Sequence, residues 1–331
     1  MSNKNQKPTI ILTFTLGLIL AISFIAGSNP VDSKKQGKFV AIAYESNKAM
    51  YSDDGINWET TTLPGKAKWW NVCSGNGKFV AVCSSSNIAA YSTDGIKWTE
   101  TTMPGTADWE SVCYGNDKFV AIAGDLQYGN KAAYSYDGIN WTETTMPLVD
   151  RVSVFRVCYG NDKFAAVAYS STNDVAAYSE DGIKWIKTKM SRRPCWSSVA
   201  YGNGKFVAIS VYGNIAAYSD NGIKWKATIT MPNIADWENV CYGNDKFVAV
   251  ARNSARAAYS DDGIHWTETE LPDKAAWISV CYGEDKFVTI DRGDYFPEGG
   301  NKIAYSYDGI NWKATTIPIS AHWSSICYGG D

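Results

Sequence analysis

Two short acidic clusters are the residues best suited by type and spacing to chemistry. Asp108-Trp109-Glu110 and Asp236-Trp237-Glu238 place two carboxylates around a tryptophan at corresponding points of two copies of an internal repeat. Paired carboxylates at the right separation hydrolyse glycosidic bonds, one as acid and the other as base or nucleophile. Asp108, Glu110, Asp236 and Glu238 are therefore the catalytic candidates, although two copies of one repeat look alike without any chemistry. A second concentration lies in the stretch from Asp291 to Lys302. Arg292, Asp294 and Tyr295 are ligand-binding candidates there, and Arg292-Gly293-Asp294 matches the integrin-binding tripeptide, a match three residues produce readily by chance. Asp291, Asp294 and Glu298 could offer oxygen ligands to calcium, but a solvated acidic loop is the simpler reading. The two histidines, His265 and His322, have no partner at metal-ligand spacing. No zinc site, nucleophile elbow, phosphate loop or dinucleotide fingerprint is present, so no metal or cofactor is expected.

The elements that must position these residues come from a box, Tyr-Ser-x-Asp-Gly-Ile-x-Trp. It begins at Tyr51 and recurs at Tyr91, Tyr134, Tyr178, Tyr218, Tyr259 and Tyr305. Asp-Gly between β-prone flanks signals a tight turn, because glycine accepts the positive φ the turn demands. The aspartate and serine side chains can bond backbone N–H groups inside the turn. Asp54, Asp94, Asp137, Asp181, Asp262 and Asp308 are thus read as structural, and Asn221 in the fifth copy keeps the bonding while losing the charge, which argues against a catalytic carboxylate.

This SxDGxxW pattern resembles the Asp-box, or bacterial neuraminidase repeat, of sialidases and other Asp-box β-propellers, over nearly everything after residue 36. The copies are one residue shorter between Asp and Gly than the usual SxDxGxxW. The resemblance implies a propeller and, often, extracellular or carbohydrate-related work. Sialidases also carry an arginine triad and an Arg-Ile-Pro motif. The arginines here, at 151, 156, 192, 193, 252, 256 and 292, show no such motif. The resemblance therefore implies the fold and not the sialidase activity.

Each repeat of roughly 40 to 45 residues reads as four strands, a to d. Strand a is WxxVCYG-like, strand b KFVAVA-like, strand c AAYS-like, and strand d Thr-rich after the box. Strand b is apolar at every position, as at Phe119 to Ala123, so it is buried on both faces. The array begins at Gly37-Lys38 without a strand a and ends at Trp323 to Asp331 with a strand a lacking a strand b. Each end holds what the other lacks. The expected fold is all-β, a seven-bladed propeller of four-stranded antiparallel blades spanning 37–331, closed by the C-terminal strand completing the first blade.

Residues 1–26 carry Lys4 and Lys7 followed by an uncharged apolar run, which predicts export through a signal peptide or membrane anchor, with 27–36 as linker. The net charge of −3 without a run of one sign excludes nucleic acid as an expected partner. Cys73, Cys113, Cys158, Cys241, Cys281 and Cys327 share one position that also accepts Ala200, which predicts small buried thiols rather than disulfides.

Strand parity puts the a–b and box turns at one end of every sheet and the variable b–c and d–a connections at the other. Function is expected at the variable end. Trp69, Trp109, Trp196, Trp237, Trp277 and Trp323 open strand a there, either as stacking platforms for a ligand or as wedges between blades. The leading expectation is an exported or cell-surface module that binds a glycan or an extracellular protein. The alternatives are a carbohydrate-active hydrolase or lyase using acidic residues at the channel mouth, and a scaffold without a small ligand. Membrane contact is expected only through the N-terminal segment.

Overall fold

The computed structural model describes residues 37–330 apart from loop positions 125–130, 148–153, 170–174, 192–194, 230, 295–296 and 298. Residues 1–36, where a signal or anchor segment and a linker are expected, lie outside the described residues, as do Tyr295 and Glu298. Four-stranded antiparallel sheets form seven blades around a central channel. The second blade is representative, with strands Trp69–Gly75, Lys78–Cys83, Ser86–Ser92 and Thr99–Ala107 in chain order from inside to outside. The first blade takes its innermost strand from the C-terminus. Trp323–Gly329 pairs with Lys38–Ala43 in the register Phe39↔Tyr328, Val40↔Cys327 and Ala41↔Ile326. The closure expected from the two incomplete ends is thus the closure found.

The unbroken apolar strand b follows from packing on two sides. Phe39, Ala41 and Ala43 join a cluster with Val288 and Ile290 of the preceding blade. Val40 and Ile42 join another with Phe79 and Ala81 of the following blade. All the core therefore lies between blades, and no blade buries its faces alone.

At the end carrying the a–b and box turns the copies agree closely. In the first box Ser52 Oγ accepts from Gly55 N at 2.8 Å, and Asp54 Oδ1 accepts from Ile56 N and Asn57 N, both at 2.8 Å. Gly55 has φ +69°, and a Cβ there would meet Val288 Cγ2 at 2.8 Å, so conformation and space both require glycine. Burial alone would raise the Asp54 carboxyl. The N–H groups of Asn57 and Ile56, the Asn57 amide and the Ser52 hydroxyl outweigh it and hold the group at about 2. Asn221 makes the same contacts at a longer 3.0 Å, to Ile223 N and Lys224 N.

Two rings of hydrogen bonds stitch blade to blade. The outer ring uses the strand-d threonine, whose hydroxyl donates to the box isoleucine carbonyl of the next blade, as in Thr101 to Ile139 at 2.6 Å and Thr144 to Ile183 at 2.6 Å. It crosses the closure too, in Thr315 to Ile56 at 3.3 Å. The inner ring uses the third residue of strand a. Asn71 Oδ1 accepts from Val112 N at 2.9 Å, Ser111 Oγ from Val157 N at 3.1 Å and Ser198 Oγ from Val240 N at 3.2 Å. Asn239 Oδ1 accepts from Val280 N at 3.0 Å, Ser279 Oγ from Ile326 N at 3.3 Å and Ser325 Oγ from Val72 N at 3.3 Å. At the remaining interface, from the fourth blade to the fifth, the third residue is Arg156. A guanidinium has no acceptor to offer the Val199 N–H.

Candidate functional site

The variable end of the channel carries two adjoining cavities of about 180 and 260 Å³. Both are bordered by Trp70, Arg156, Glu238 and Arg292. Glu110 adds to the first, and Arg252, Asp236 and Tyr212 to the second. Each residue reaches the mouth from a defined place in the repeat. Trp70, Glu110 and Glu238 occupy the second position of strand a, where a register shift turns that side chain towards the axis. Arg156 occupies the third. Arg252 ends strand b of the sixth blade, and Arg292 follows strand b of the seventh.

The charges are arranged unevenly. Asp294 serves two guanidiniums at once. Its Oδ2 accepts from Arg252 Nε at 2.7 Å and from Arg252 Nη2, while Arg292 Nε lies 3.3 Å from Oδ1. Arg292 also lies over the rings of Tyr44, at 5.4 Å, and Trp70, at 5.6 Å. Arg156 Nη1 lies 3.5 Å from Glu110 Oε2 and donates to the Glu110 carbonyl at 3.4 Å. Glu238 has no hydrogen bond or ion pair among the described residues. Burial raises its carboxyl above the usual range, Arg252, Arg156 and Arg292 pull it down, Asp236 pushes it up, and burial prevails. The mouth thus holds one partly desolvated carboxylate within the field of three guanidiniums and bonded to none of them.

The structure redistributes the residues singled out from the sequence. Glu110 and Glu238 do meet at one cavity. Asp236 borders the mouth, but Asp108 is a loop clamp, accepting from Ser84 Oγ at 2.7 Å, Ser85 N at 2.6 Å and Ser85 Oγ at 2.7 Å. The six strand-a tryptophans are at most 1 % exposed. The packing reading, not the stacking one, describes them, because each indole fills the space between blades, as Trp109 does beside Val80 and Val82. Five of them donate Nε1 to a backbone carbonyl, as Trp69 does to Gly65 at 3.0 Å. Trp196, which borders the larger cavity, has no acceptor for Nε1 among the described residues. Arg292 and Asp294 pair with each other, Nε to Oδ1 at 3.3 Å, so the tripeptide is not displayed as an extended ligand. Asp291 is 3 % exposed and accepts from Ala276 N at 3.0 Å and Gly293 N at 2.8 Å, which commits it to backbone rather than to a cation. The eight cysteines are free, and burial raises the strand-a thiols.

Trp70, Arg156, Tyr212 and Arg252 escaped the sequence reading, which sought motifs. The signal available was departure from the repeat. The third position of strand a is Ser or Asn in every blade but the fourth, and the residue after strand b is arginine only in the sixth and seventh.

No protein-family model matches the chain, and no curated protein matches it in sequence. Solved structures do share the fold. A catalytically inactive virginiamycin B lyase from Staphylococcus aureus with quinupristin is similar over 86 % of this chain and 89 % of its own, at 13 % identity and a TM-score of 0.66. YCF48 bound to a D1 peptide is similar over 78 % and 84 %, at 15 % identity and 0.56. AztD from Citrobacter koseri is similar over 88 % and 98 %, at 10 % identity and 0.51. At these identities the likeness is one of propeller architecture.

Proposed function

We propose that this protein is an exported or cell-surface binding module that recognises a glycan or an extracellular protein with its variable end, and that the channel mouth is the binding site. The observation that carries this reading is the coincidence of pattern breaks with the cavity. Arg156 breaks a position that is Ser or Asn in the other six blades, Trp70, Glu110, Glu238, Arg252 and Arg292 stand at two positions that hold no common residue from blade to blade, and all of them border the mouth. Sites where local rules are broken without structural gain are where function is expected. Among proteins of the same architecture, one solved structure holds quinupristin and another a peptide, which supports a ligand role for the scaffold. The uncharged N-terminal run supports export, and the serine-aspartate-glycine turn supports kinship with Asp-box propellers.

A glycan array probed with the purified propeller tests this reading. Binding abolished by Arg252→Ala, in protein that melts as the parent does, is the expected result. Binding undiminished by Arg252→Ala and Glu238→Ala together overturns the assignment of the mouth. A hydrolase or lyase is the second reading, favoured by one observation: Glu238 is a partly desolvated carboxyl raised towards the range of a general acid. Release of reducing ends or unsaturated products from polysaccharides, lost in Glu238→Gln, would establish it. Neither His265, in an exposed box turn, nor His322 borders the cavities.

A further inference from the structure

We infer that the larger cavity at the channel mouth receives the terminal ring of an uncharged saccharide, with Glu238 accepting from its hydroxyls and Arg156 and Arg252 donating to them. This rests on the binding function proposed above and specifies its ligand. The charge inventory decides first. Three guanidiniums, of Arg156, Arg252 and Arg292, face four carboxylates, of Glu110, Asp236, Glu238 and Asp294. A cationic group entering to meet Glu238 would be opposed by all three arginines, and an anionic group entering to meet the arginines would be opposed by Glu238 and Asp236. A neutral ring carrying hydroxyls meets neither penalty, because each hydroxyl donates one hydrogen bond and accepts others.

The unused hydrogen-bonding capacity has the same character. Glu238 presents two oxygens without a partner among the described residues. Arg252 commits Nε and Nη2 to Asp294, which leaves Nη1. Arg156 commits Nη1 to Glu110, which leaves Nε and Nη2. Donors and acceptors thus alternate around one small space, and each lacks the partner a vicinal diol would supply. Buried polar groups left so are costly until matched. Tyr212, 59 % exposed, stands at the rim with an aromatic face of the kind that covers the apolar side of a sugar ring. At about 260 Å³ the cavity falls below the roughly 300–1,000 Å³ of pockets that enclose drug-sized ligands, so it suits an end group rather than a chain passing through.

Isosteric sugars of different charge test the inference directly. The methyl glycosides of glucose, glucuronic acid and glucosamine, and the same series on galactose, would be titrated into the protein by saturation-transfer NMR and calorimetry at millimolar concentration. The expected result is that the neutral member of at least one series binds and that its charged counterparts bind about tenfold or more weakly. Glu238→Gln, which keeps the shape but exchanges an acceptor oxygen for a donor, and Tyr212→Ala should each weaken that binding about tenfold, while Tyr136→Ala in a box turn at the opposite end leaves it unchanged. Preferred binding of the uronate, preferred binding of the amine, or no binding by any member overturns the inference. In the last case a glycan or protein partner whose capture is lost in Arg252→Ala would leave the broader binding role intact, so the two failures are distinguishable.

Discussion

The end of the propeller that carries the box turns and the end that carries the channel mouth are built from the same repeat, yet they obey different rules. At the box end each blade repeats one solution. The serine and the aspartate, or Asn221 in the fifth blade, satisfy the turn amides, the glycine takes the left-handed conformation, and its missing Cβ admits a side chain of the preceding blade, as at Gly95 with Val40, Gly138 with Val80 and Gly222 with Ala165. At the mouth, the second position of strand a holds Trp70, Glu110, Phe155, Ser197, Glu238, Ile278 and Ser324 in the seven repeats. Two of these, Ser197 and Ser324, still bridge blades by donating to the Trp237 and Trp69 carbonyls at 2.5 and 2.9 Å. Where the residue is Glu238 or Trp70, that bridge is lost and the side chain faces the cavity instead. Uniform positions hold the ring together, and divergent ones give up an inter-blade bond to place a functional group.

If that contrast is right, changes at uniform positions should damage stability and spare specificity. The largest effect is expected from removing the closing strand. Without residues 323 to 331, Lys38–Ala43 becomes an exposed edge and the cluster containing Trp323 and Ile326 loses one wall. Loss of the parent's soluble species on size exclusion is the expected outcome, and a folded product that elutes as a discrete soluble species would refute the closure as the source of stability. Next comes Trp237→Ala. With the ring fully buried among Ile209, Met231 and Val240, its loss should cost about 3–5 kcal/mol in urea denaturation. A loss well below that would mean that the site collapses around the gap.

The fold was legible because its physics is repetitive. An Asp-Gly turn, a strand apolar at every position and two complementary chain ends each imply a propeller, and they imply it together. The mouth was legible only in part. Glu110 and Glu238 stood out because two acids flank a tryptophan, but nothing local to Arg156, Arg252 and Arg292 shows that strands of the fourth, sixth and seventh blades converge on one axis. The tryptophans left two readings open for the opposite reason. Their place at the variable end was correctly read, but position along a strand does not reveal which side of it a ring occupies. Here the indoles turn between the blades, and the residue one step on takes the axis-facing place.

A smaller effect should separate the box carboxylates from the fifth blade's amide. Asp54 titrates at about 2 against an ordinary 3.8, so its contribution to stability is complete above the ordinary value and is lost as pH falls between the two. Asp54→Asn, which copies Asn221, should lower stability near neutrality by on the order of 1 kcal/mol after solvent screening, and should flatten the acid limb of the stability curve. An unchanged acid limb would show that the turn does not depend on the charge.

The smallest change, and the most discriminating, is Arg156→Ser. In the other blades this position holds Ser or Asn and accepts the next blade's N–H, and only here does an arginine leave Val199 N without that acceptor. Serine should restore the seventh link of the inner ring and stabilise the protein by about 0.5–1.5 kcal/mol, the net worth of one intramolecular hydrogen bond. The same substitution removes the Glu110 partner and one of the three guanidiniums around Glu238, so ligand binding at the mouth should weaken as stability rises. Opposite signs in the two measurements are what a residue kept for function rather than for folding produces. If Arg156→Ser destabilised the propeller, the arginine would be a structural element of the fourth blade, and the contrast between the two ends would not extend to this position.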